Sequence, residues 1–351
     1  MERKTTRRKF VKQSSLIAGG LMAAPLIGRT NFFSGSAGEI KVAVVGCGGR
    51  GSGAAMQALL SKQNVKIVAL ADAFKNRVDD CHNKLMADDL SDLGVKGNLK
   101  AKVDVPESRK FVGFDAYQKA IPFADVVILA TPPGFRPAHF EEAIRQGKHV
   151  FMEKPVAVDP AGIKKVLDAA AIAKQKKLNV VVGLQRRYQT SSLELFKRKD
   201  LIGDIQSAQV WWNSSGVWVK KREPNQTEME YQMRNWYYFN WLCGDHILEQ
   251  HIHNIDVMNW FKGDFPVEAQ GMDGRQVRTG KEYGEIFDHH YVEFKFADGS
   301  IMNSQCRHIQ GTLSKVDELL IGTKGKIYCG EGVIKDNKGK ELYKFNKKTD
   351  N

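Results

Sequence analysis

Short apolar runs alternate with helical stretches along the first half of the chain. Continuous apolar runs, typical of strands buried on both faces, lie at 40–45, 66–70, 125–130, 149–152 and 179–183. Stretches with helical periodicity lie between them, at 52–61, 139–146 and 160–177. Strands that alternate with helices predict a doubly wound parallel sheet of the Rossmann type, and so an α/β fold.

The pattern changes in the second half, where apolar and polar residues alternate. Segments 291–296 and 301–306 flank Asp298-Gly299, a strong hairpin signal. A second hairpin is predicted around 322–325. These features predict an α+β domain with a largely antiparallel sheet.

The first 37 residues are typical of a targeting segment. Arg7-Arg8, followed by a weakly apolar stretch and small residues, resembles the twin-arginine signal that exports folded proteins. We therefore predict a periplasmic or otherwise exported protein, with a signal at 1–37, a Rossmann domain at 38–187 and an α+β domain at 188–351. The alternative is a disordered basic tail ahead of a cytoplasmic enzyme. Because the apolar stretch is shorter than the roughly 20 residues that span a bilayer, no membrane insertion is expected once the signal is removed.

The charge of the chain argues against nucleic-acid binding. Its 351 residues carry a formal net charge of +13, but residues 1–36 contribute nearly half of that excess, with seven Lys or Arg and one acid. The remaining basic residues are scattered among acids. The expected partner is therefore a small molecule and not a nucleic acid.

The cysteines are interpreted as structural thiols. The five, none of them in a CxxC pair, are Cys47, Cys81, Cys243, Cys306 and Cys329. An odd number without paired spacing argues against both a disulfide framework and a structural zinc site.

A glycine motif follows the first predicted strand directly and opens the first predicted helix. Gly46 permits a tight turn, Gly48 lets the backbone approach a pyrophosphate, and Gly51 lets the helix pack on the strand. The helix N-terminus then faces the phosphates, so Gly49 and Arg50 are also expected at the cofactor. The motif predicts a dinucleotide site.

Asp72 closes the next predicted strand, about 20 residues after the motif. A carboxylate there accepts hydrogen bonds from the adenosine ribose hydroxyls, which favours NAD over NADP. Lys75 and Arg77 lie nearby and keep NADP open. The alternative is an ordinary glycine-rich turn with Asp72 as a cap.

Two further loops follow predicted strands at the carboxyl edge of the sheet, where open α/β sheets bind ligands. Thr131 and Pro132 follow one strand and are expected on the nicotinamide side of the cofactor. Glu153 and Lys154 follow the next strand and are expected there as well. A lysine in this place can donate a hydrogen bond to the reacting oxygen and stabilise its developing charge.

The glycine motif, the Thr-Pro-Pro turn, Glu-Lys-Pro at 153–155 and the segment 244–256 together resemble the Gfo/Idh/MocA family, the relatives of glucose-fructose oxidoreductase and inositol dehydrogenase. The resemblance implies a Rossmann domain followed by an open-faced sheet domain, in an NAD(P)-dependent oxidoreductase. It further implies that the lysine of Glu-Lys-Pro and a histidine four residues after an acid flank the substrate carbon. Lys154 and His253 match these positions, and Glu249 stands where the family more often has Asp.

The same resemblance bears on the end of the chain and on assembly. Residues 347–351 are polar, and the closing helix expected in such relatives is missing, so a truncated second domain is expected. A homo-oligomer is expected as well.

One predicted helix carries the acid and the histidine. His246, Glu249, Gln250 and His253 share a face of it by three- and four-residue spacing. Our hypothesis is that His253, with a pKa near neutrality, takes the hydroxyl proton while Lys154 steadies the emerging oxygen. Glu249 would stabilise the protonated imidazole. The acid and histidines could instead hold a metal, but their spacing differs from HExxH, and we predict no metal.

Aromatic residues precede this helix, among them Trp236 and Tyr237. Aromatic rings combine a large apolar area with a polar edge, so we expect Trp236, Tyr237 and the neighbouring His246 to contact a carbohydrate substrate. Arg186 joins them on its family-like position. The alternative for the aromatics is core packing or an oligomer interface.

Export constrains the chemistry, because an exported enzyme has no ready supply of NAD to exchange for spent cofactor. A tightly bound cofactor must then return each hydride within the cycle or pass it to a second substrate. The first prediction is hydride transfer between a sugar or cyclitol hydroxyl and such a cofactor. One alternative is a redox-neutral glycosidase or lyase acting through a 3-keto intermediate, and another is a non-catalytic dinucleotide-binding protein.

Overall fold

The computed structural model describes residues 38–87 and 99–346. The predicted export signal at 1–37 and the polar end at 347–351 lie outside the described residues. The chain from Glu39 onward forms one compact unit. None of the described helices is long and apolar enough to cross a bilayer.

Within the described residues, six parallel strands form the first sheet, in the order β3-β2-β1-β4-β5-β6. They are β1 Ile40–Val45, β2 Val65–Asp72, β3 Lys110–Val112, β4 Val126–Leu129, β5 His149–Met152 and β6 Val180–Val182. The accompanying α-helices are α1 Gly49–Leu60, α2 Lys75–Leu85, α3 Ala116–Ala120, α4 Arg136–Arg145 and α5 Pro160–Gln175. The predicted doubly wound sheet is confirmed, while the short strand β3 and the helices α2 and α3 were not predicted.

Eight strands of the described chain form the second sheet, in the order β14-β13-β12-β11-β7-β10-β9-β8. They are β7 Ile205–Ser214, β8 Glu268–Gly274, β9 His289–Lys295, β10 Ile301–His308, β11 Lys315–Gly322, β12 Gly325–Tyr328, β13 Val333–Asp336 and β14 Glu341–Lys344. The α-helices here are α6 Thr190–Phe196, α7 Glu228–Arg234, α8 Asn240–Cys243, α9 Asp245–Glu249 and α10 Ile252–Lys262. Neighbouring strands are antiparallel except β7 and β10, and both predicted hairpins are present.

Both faces of the first sheet are buried, as its continuous apolar runs predict. The adjacent residues Val44 and Val45 of β1 point to opposite faces and lie in two different apolar clusters. One cluster includes Leu59 of α1, and the other includes Phe140 of α4. In the second sheet, α10 packs Val257 and its apolar neighbours against the middle strands.

The strand order of the first sheet reverses between β1 and β4. At such a point the chain leaves neighbouring strands toward opposite faces, and a crevice opens at their carboxyl ends. The loops that follow β1, β2, β4 and β5 border this crevice, and they carry the residues singled out in the sequence. The fold therefore places a ligand site there.

Candidate active site

The turn after β1 can be built only with glycine at two positions. Gly46 has φ of +94°, and a Cβ there would lie 2.5 Å from the backbone of Ala130 and Thr131. A Cβ on Gly51 would lie 1.8 Å from the carbonyl oxygen of Gly46. The first glycine thus permits the turn, and the last lets α1 pack closely against it.

The middle of the glycine loop faces open space. A Cβ on Gly48 or Gly49 would meet no atom within 4 Å. Helix α1 begins at Gly49, with no acidic side chain in its first turn. Both glycines, together with Arg50, line a cavity of about 540 Å³. A bare helix N-terminus beside open space fits a diphosphate, because its free N–H groups bind anions.

Asp72 lies at the end of β2 and lines the same cavity. Its carboxylate accepts hydrogen bonds from the backbone N–H groups of Cys47 at 2.8 Å and Phe74 at 3.0 Å. Burial raises the pKa of this carboxyl. The carboxylate is therefore fixed against the glycine loop, where it can accept hydrogen bonds from a ribose.

The cavity lined by the glycine loop and Asp72 is the candidate dinucleotide cavity, and the second domain closes it from the other side. Five of its side chains line the cavity: Trp218, Lys220, Met233, Arg234 and Trp236. The guanidinium of Arg234 also lies 4.3 Å from the ring centre of Phe74, in the first domain. Of these five residues, sequence reasoning identified Trp236 alone.

A second cavity, of about 680 Å³, brings together Lys154, Glu249 and His253. The Lys154 ammonium lies 2.6 Å from Glu249 Oε1 and also donates to the carbonyl oxygen of Glu249. This cavity shares Arg50 and Thr131, as well as Ala130 and Trp236, with the dinucleotide cavity. Both spaces therefore belong to one site.

Two buried charges organise the loops around this site. Glu153, with its side chain 10% exposed, pairs with Arg50 at 2.5 Å. Arg136, only 1% exposed, donates to the carbonyl oxygens of Thr131 and Pro155 and so ties the loop after β4 to the loop after β5. Burial lowers the pKa of Arg136 to about 10, so it stays charged. Sequence reasoning missed Arg136, which begins α4 shortly after the Thr-Pro-Pro turn.

The sequence predicts one continuous helix around His253. This prediction is wrong, because the helix is interrupted. Helix α9 ends at Glu249 and α10 begins at Ile252. The intervening His251 is fully buried and lies 2.8 Å from the Ser304 hydroxyl on β10. Its backbone N–H donates to the carbonyl oxygen of His246, five residues earlier instead of the four of a regular helix. The break undoes the four-residue spacing between acid and histidine. The Glu249 carboxylate accordingly pairs with Lys154, while His253 Nδ1 is buried without a hydrogen-bond partner in the described structure.

His253 is consequently held in its neutral form. Burial, together with the positive charges of Lys154 and Arg186, lowers the pKa of its imidazole to about 3. The expectation of a pKa near neutrality is therefore wrong. A neutral imidazole can accept a proton, but no carboxylate among the described residues bonds to this ring to steady the charge that follows.

Three residues predicted as substrate contacts do not line either cavity in the described structure. Arg186 pairs with the buried Glu318 at 2.7 Å, although its charge still acts on His253. Tyr237 is 2% exposed within an aromatic cluster, and His246 is fully buried. Trp236, by contrast, lines both cavities.

Residues 40–184 match the sequence profile of the Gfo/Idh/MocA oxidoreductases, described as "Oxidoreductase family, NAD-binding Rossmann fold". The match spans the first sheet and all four loops of the crevice. This part of the chain is therefore similar to the NAD-binding domain of that family.

Curated relatives match at low identity. The chain is 23% identical to inositol 2-dehydrogenase of Rhizobium meliloti over 209 residues, which are 58% of this chain and 56% of that protein. It is 24% identical to 2,7-anhydro-N-acetylneuraminate hydratase of Escherichia coli over 179 residues, 50% of this chain and 44% of that protein. The chain thus spans about half the length of these relatives.

Solved structures share the whole two-sheet arrangement. The aldose-aldose oxidoreductase of Caulobacter crescentus, solved with glycerol, gives a TM-score of 0.61 at 18% identity and covers 86% of this chain and 78% of that one. At this identity the likeness establishes the fold: a Rossmann domain followed by an α+β domain.

Proposed function

We propose that the chain is an NAD-dependent oxidoreductase that transfers a hydride between a hydroxyl of a sugar or cyclitol and a nicotinamide cofactor. One observation carries the proposal: Lys154, Glu249 and His253 line a cavity that shares its wall with the dinucleotide cavity. Oxidation of a carbinol needs one group to steady the oxygen and another to take its proton. The relatives named inositol 2-dehydrogenase and aldose-aldose oxidoreductase support a polyhydroxylated substrate.

The residues present fit the cofactor. The glycine loop and the N-terminus of α1 would hold the diphosphate, and Asp72 would hold the adenosine ribose. A carboxylate at that place repels the additional phosphate of NADP, which favours NAD even though Arg77 lines the same cavity. When bound, the nicotinamide supplies the acceptor for the carbinol hydrogen and its electron pair.

The chain's own groups then manage the oxygen and the proton. The Lys154 ammonium donates a hydrogen bond to the substrate oxygen as its negative charge grows. The neutral His253 takes the hydroxyl proton as the carbonyl forms. Glu249 orients Lys154 through the two hydrogen bonds described above.

A panel of polyols tests the proposal. Purified chain is incubated with added NAD and with cyclitols, aldoses and uronic acids, and reduction of the cofactor is followed by absorbance. Turnover is expected with at least one class and is expected to fall about 10²- to 10⁴-fold in His253→Ala with cofactor binding retained. Near-normal turnover in that variant would exclude His253 as the base.

The pH profile should show an acid limb far below the usual range for histidine. The base works only when neutral, and its folded pKa is lowered from an ordinary value of about 6.5. Consequently kcat/KM should stay level as the pH falls from about 8 to about 5. A limb that titrates at or above about 6.5 would assign the proton to another group.

A redox-neutral glycosidase or lyase is the second candidate, favoured by the five second-domain side chains that close the dinucleotide cavity. Such closure favours a retained cofactor, and the hydratase relative shows no net oxidation in its name. Release of reducing sugar from glycosides without added NAD, abolished by borohydride pretreatment, would support this candidate. If neither this release nor reduction of added NAD is observed, the remaining candidate is a non-catalytic dinucleotide-binding protein.

Retention of the cofactor is directly measurable. Mass spectrometry of the denatured, purified protein should detect NAD that survives dialysis. Met233→Ala removes a wall of the cavity and should release it. Met229→Ala, on the same helix but 51% exposed and not lining the cavity, is the matched control and should retain it. Equal retention in both variants would contradict the capping role.

Export by the twin-arginine route is part of the proposal, because a retained cofactor suits a protein that is folded before it crosses the membrane. Assembly into a homo-oligomer is proposed as well. Strand β8, at the edge of the second sheet, is exposed along nearly its whole length and offers a surface for a second copy.

A further inference from the structure

A second cluster of reactive side chains lies one helical turn from Glu249 and takes no part in the steps above. It consists of His246 on α9, His290 on β9 and Cys306 on β10, all of them buried. One nitrogen or sulfur atom from each lies within 4.8 Å of the other two. His290 and Cys306 are directly opposite each other in the β9–β10 ladder, so their side chains emerge on the same face of the sheet.

One nitrogen atom of this cluster, Nε2 of His246, is buried without a partner in the described structure. Nε2 of His290 makes no hydrogen bond either, but it lies 3.3 Å from Asp245 Oδ1. An unpaired buried nitrogen is unfavourable, so Nε2 of His246 calls for a partner. Cys306 is 1% exposed and provides the third free ligand atom.

Asp245 prepares His246 for coordination. Its Oδ1 lies 3.0 Å from His246 Nδ1, which places the ring proton on Nδ1 and leaves the lone pair of Nε2 free. The other oxygen of Asp245 accepts a hydrogen bond from the Phe287 N–H at 2.8 Å, which fixes the carboxylate. A carboxylate that holds one imidazole nitrogen is the usual companion of a metal-binding histidine.

The remaining neighbours do not supply ligands. His308 stacks on His246 with ring centres 4.4 Å apart, but its nitrogens face Arg278 at 2.6 Å and Gln250 at 3.2 Å. Arg278 brings a positive charge, which Asp245 offsets.

We propose that His246, His290 and Cys306 bind one zinc ion. Two imidazoles and a thiolate form a donor set that zinc prefers, and binding releases the thiol proton to solvent. Zinc bonds of about 2.0–2.1 Å to nitrogen and about 2.3 Å to sulfur place tetrahedral ligand atoms about 3.3–3.6 Å apart. The separations between the ligand atoms, which are at most 4.8 Å, therefore shorten by up to about 1.2–1.5 Å when zinc binds. This proposal replaces the expectation, drawn from cysteine spacing and the histidine helix, that the chain binds no metal.

The ion has a structural role. Its ligands come from one helix and two strands, so it ties α9, which ends at Glu249, to β9 and β10. Three protein ligands leave the fourth position of a tetrahedral zinc to a water molecule. Because all three ligands are buried, the ion would hold these elements together rather than meet a substrate.

Metal analysis of the full chain, purified under reducing conditions without a histidine tag, tests the proposal. The expected result is about one zinc per chain after dialysis, lost in Cys306→Ser and in His290→Gln. The matched control is Cys81→Ser, another buried thiol in the first domain, which should retain the zinc.

Cobalt substitution covers the case in which the variants fail to fold. Native chain loaded with cobalt should show the near-ultraviolet charge-transfer absorption of a cobalt–thiolate bond. Chain that stays metal-free after incubation with zinc, zinc retained in Cys306→Ser, or bound cobalt without the thiolate band would each overturn the proposal. A different metal lost in the same two variants would support the site and overturn its assignment to zinc.

Discussion

Lys154→Met should lower kcat/KM for carbinol oxidation about 10²- to 10³-fold, because it removes the donor that steadies the developing oxyanion. The substitution also removes a positive charge that depresses the pKa of His253. The acid limb of the residual activity should therefore move to higher pH. A purely structural role for Lys154 would not produce this movement.

The controls for this variant separate catalysis from stability. Glu249 is left unpaired in a site where its side chain is only 11% exposed, so the melting temperature should fall. Adding Glu249→Gln should restore stability but not activity. Lys262→Met breaks an ion pair of equal length, 2.6 Å to Asp298, away from both cavities, and should leave turnover unchanged. Full activity in Lys154→Met would refute the proposed role.

Gly51→Ala should abolish NAD binding and destabilise the chain by about 3 kcal/mol, since the new Cβ would lie 1.8 Å from the Gly46 carbonyl oxygen. Both atoms belong to the backbone turn or its helix, so the contact is relieved only by moving α1 away from the phosphate loop. Calorimetric titration with NAD and thermal unfolding measure the two effects.

Gly53→Ala is the matched control, two residues along the same helix. A Cβ there meets no atom within 4 Å, and alanine favours a helix over glycine by about 1 kcal/mol. This variant should therefore bind NAD normally and unfold at a higher temperature. If Gly51→Ala and Gly53→Ala bind NAD equally well and unfold at the same temperature, Gly51 is not required for the close packing of α1.

The first sheet could be predicted because the patterns that indicate its strands lie within short, contiguous stretches of sequence. Runs such as 126–129 are apolar at every position, which indicates strands covered on both faces, and the turn residues between runs mark their ends. Lys154 and Thr131 could be placed near the cofactor for the same reason, since residues that follow parallel strands collect at one edge. By contrast, β3 is only three residues long and carries no comparable pattern.

The break between α9 and α10 could not be predicted in this way. Local spacing favours one continuous helix, whereas His251, at the interruption, contacts Ser304, 53 residues later in the chain. The pairing of Glu249 with Lys154 across 95 residues is equally nonlocal. Spacing along a helix therefore predicted two residues that line one cavity, Glu249 and His253, but the wrong partner for the acid.

Helix α7, which carries Met233 and Arg234 of the dinucleotide cavity, has a clear start signal in the sequence. Thr227 and Glu230 form a capping box, and a threonine followed three residues later by a glutamate marks the start of α7. That this helix covers the cofactor cavity depends on domain packing, which no local pattern encodes. Trp218 and Lys220 belong to the same class of long-range contact.

The two hydrogen bonds from Lys154 to Glu249 also restrict the direction from which a substrate oxygen can approach Lys154. An ammonium has three N–H groups, and in the described structure two of them are directed at the side chain and the carbonyl of Glu249. One N–H remains for a substrate oxygen, and its direction is fixed by the other two. In the proposed reaction, only one configuration at the reacting carbon places its oxygen on that line with its hydrogen toward the nicotinamide, so we expect this single lysine to set a preference between epimers.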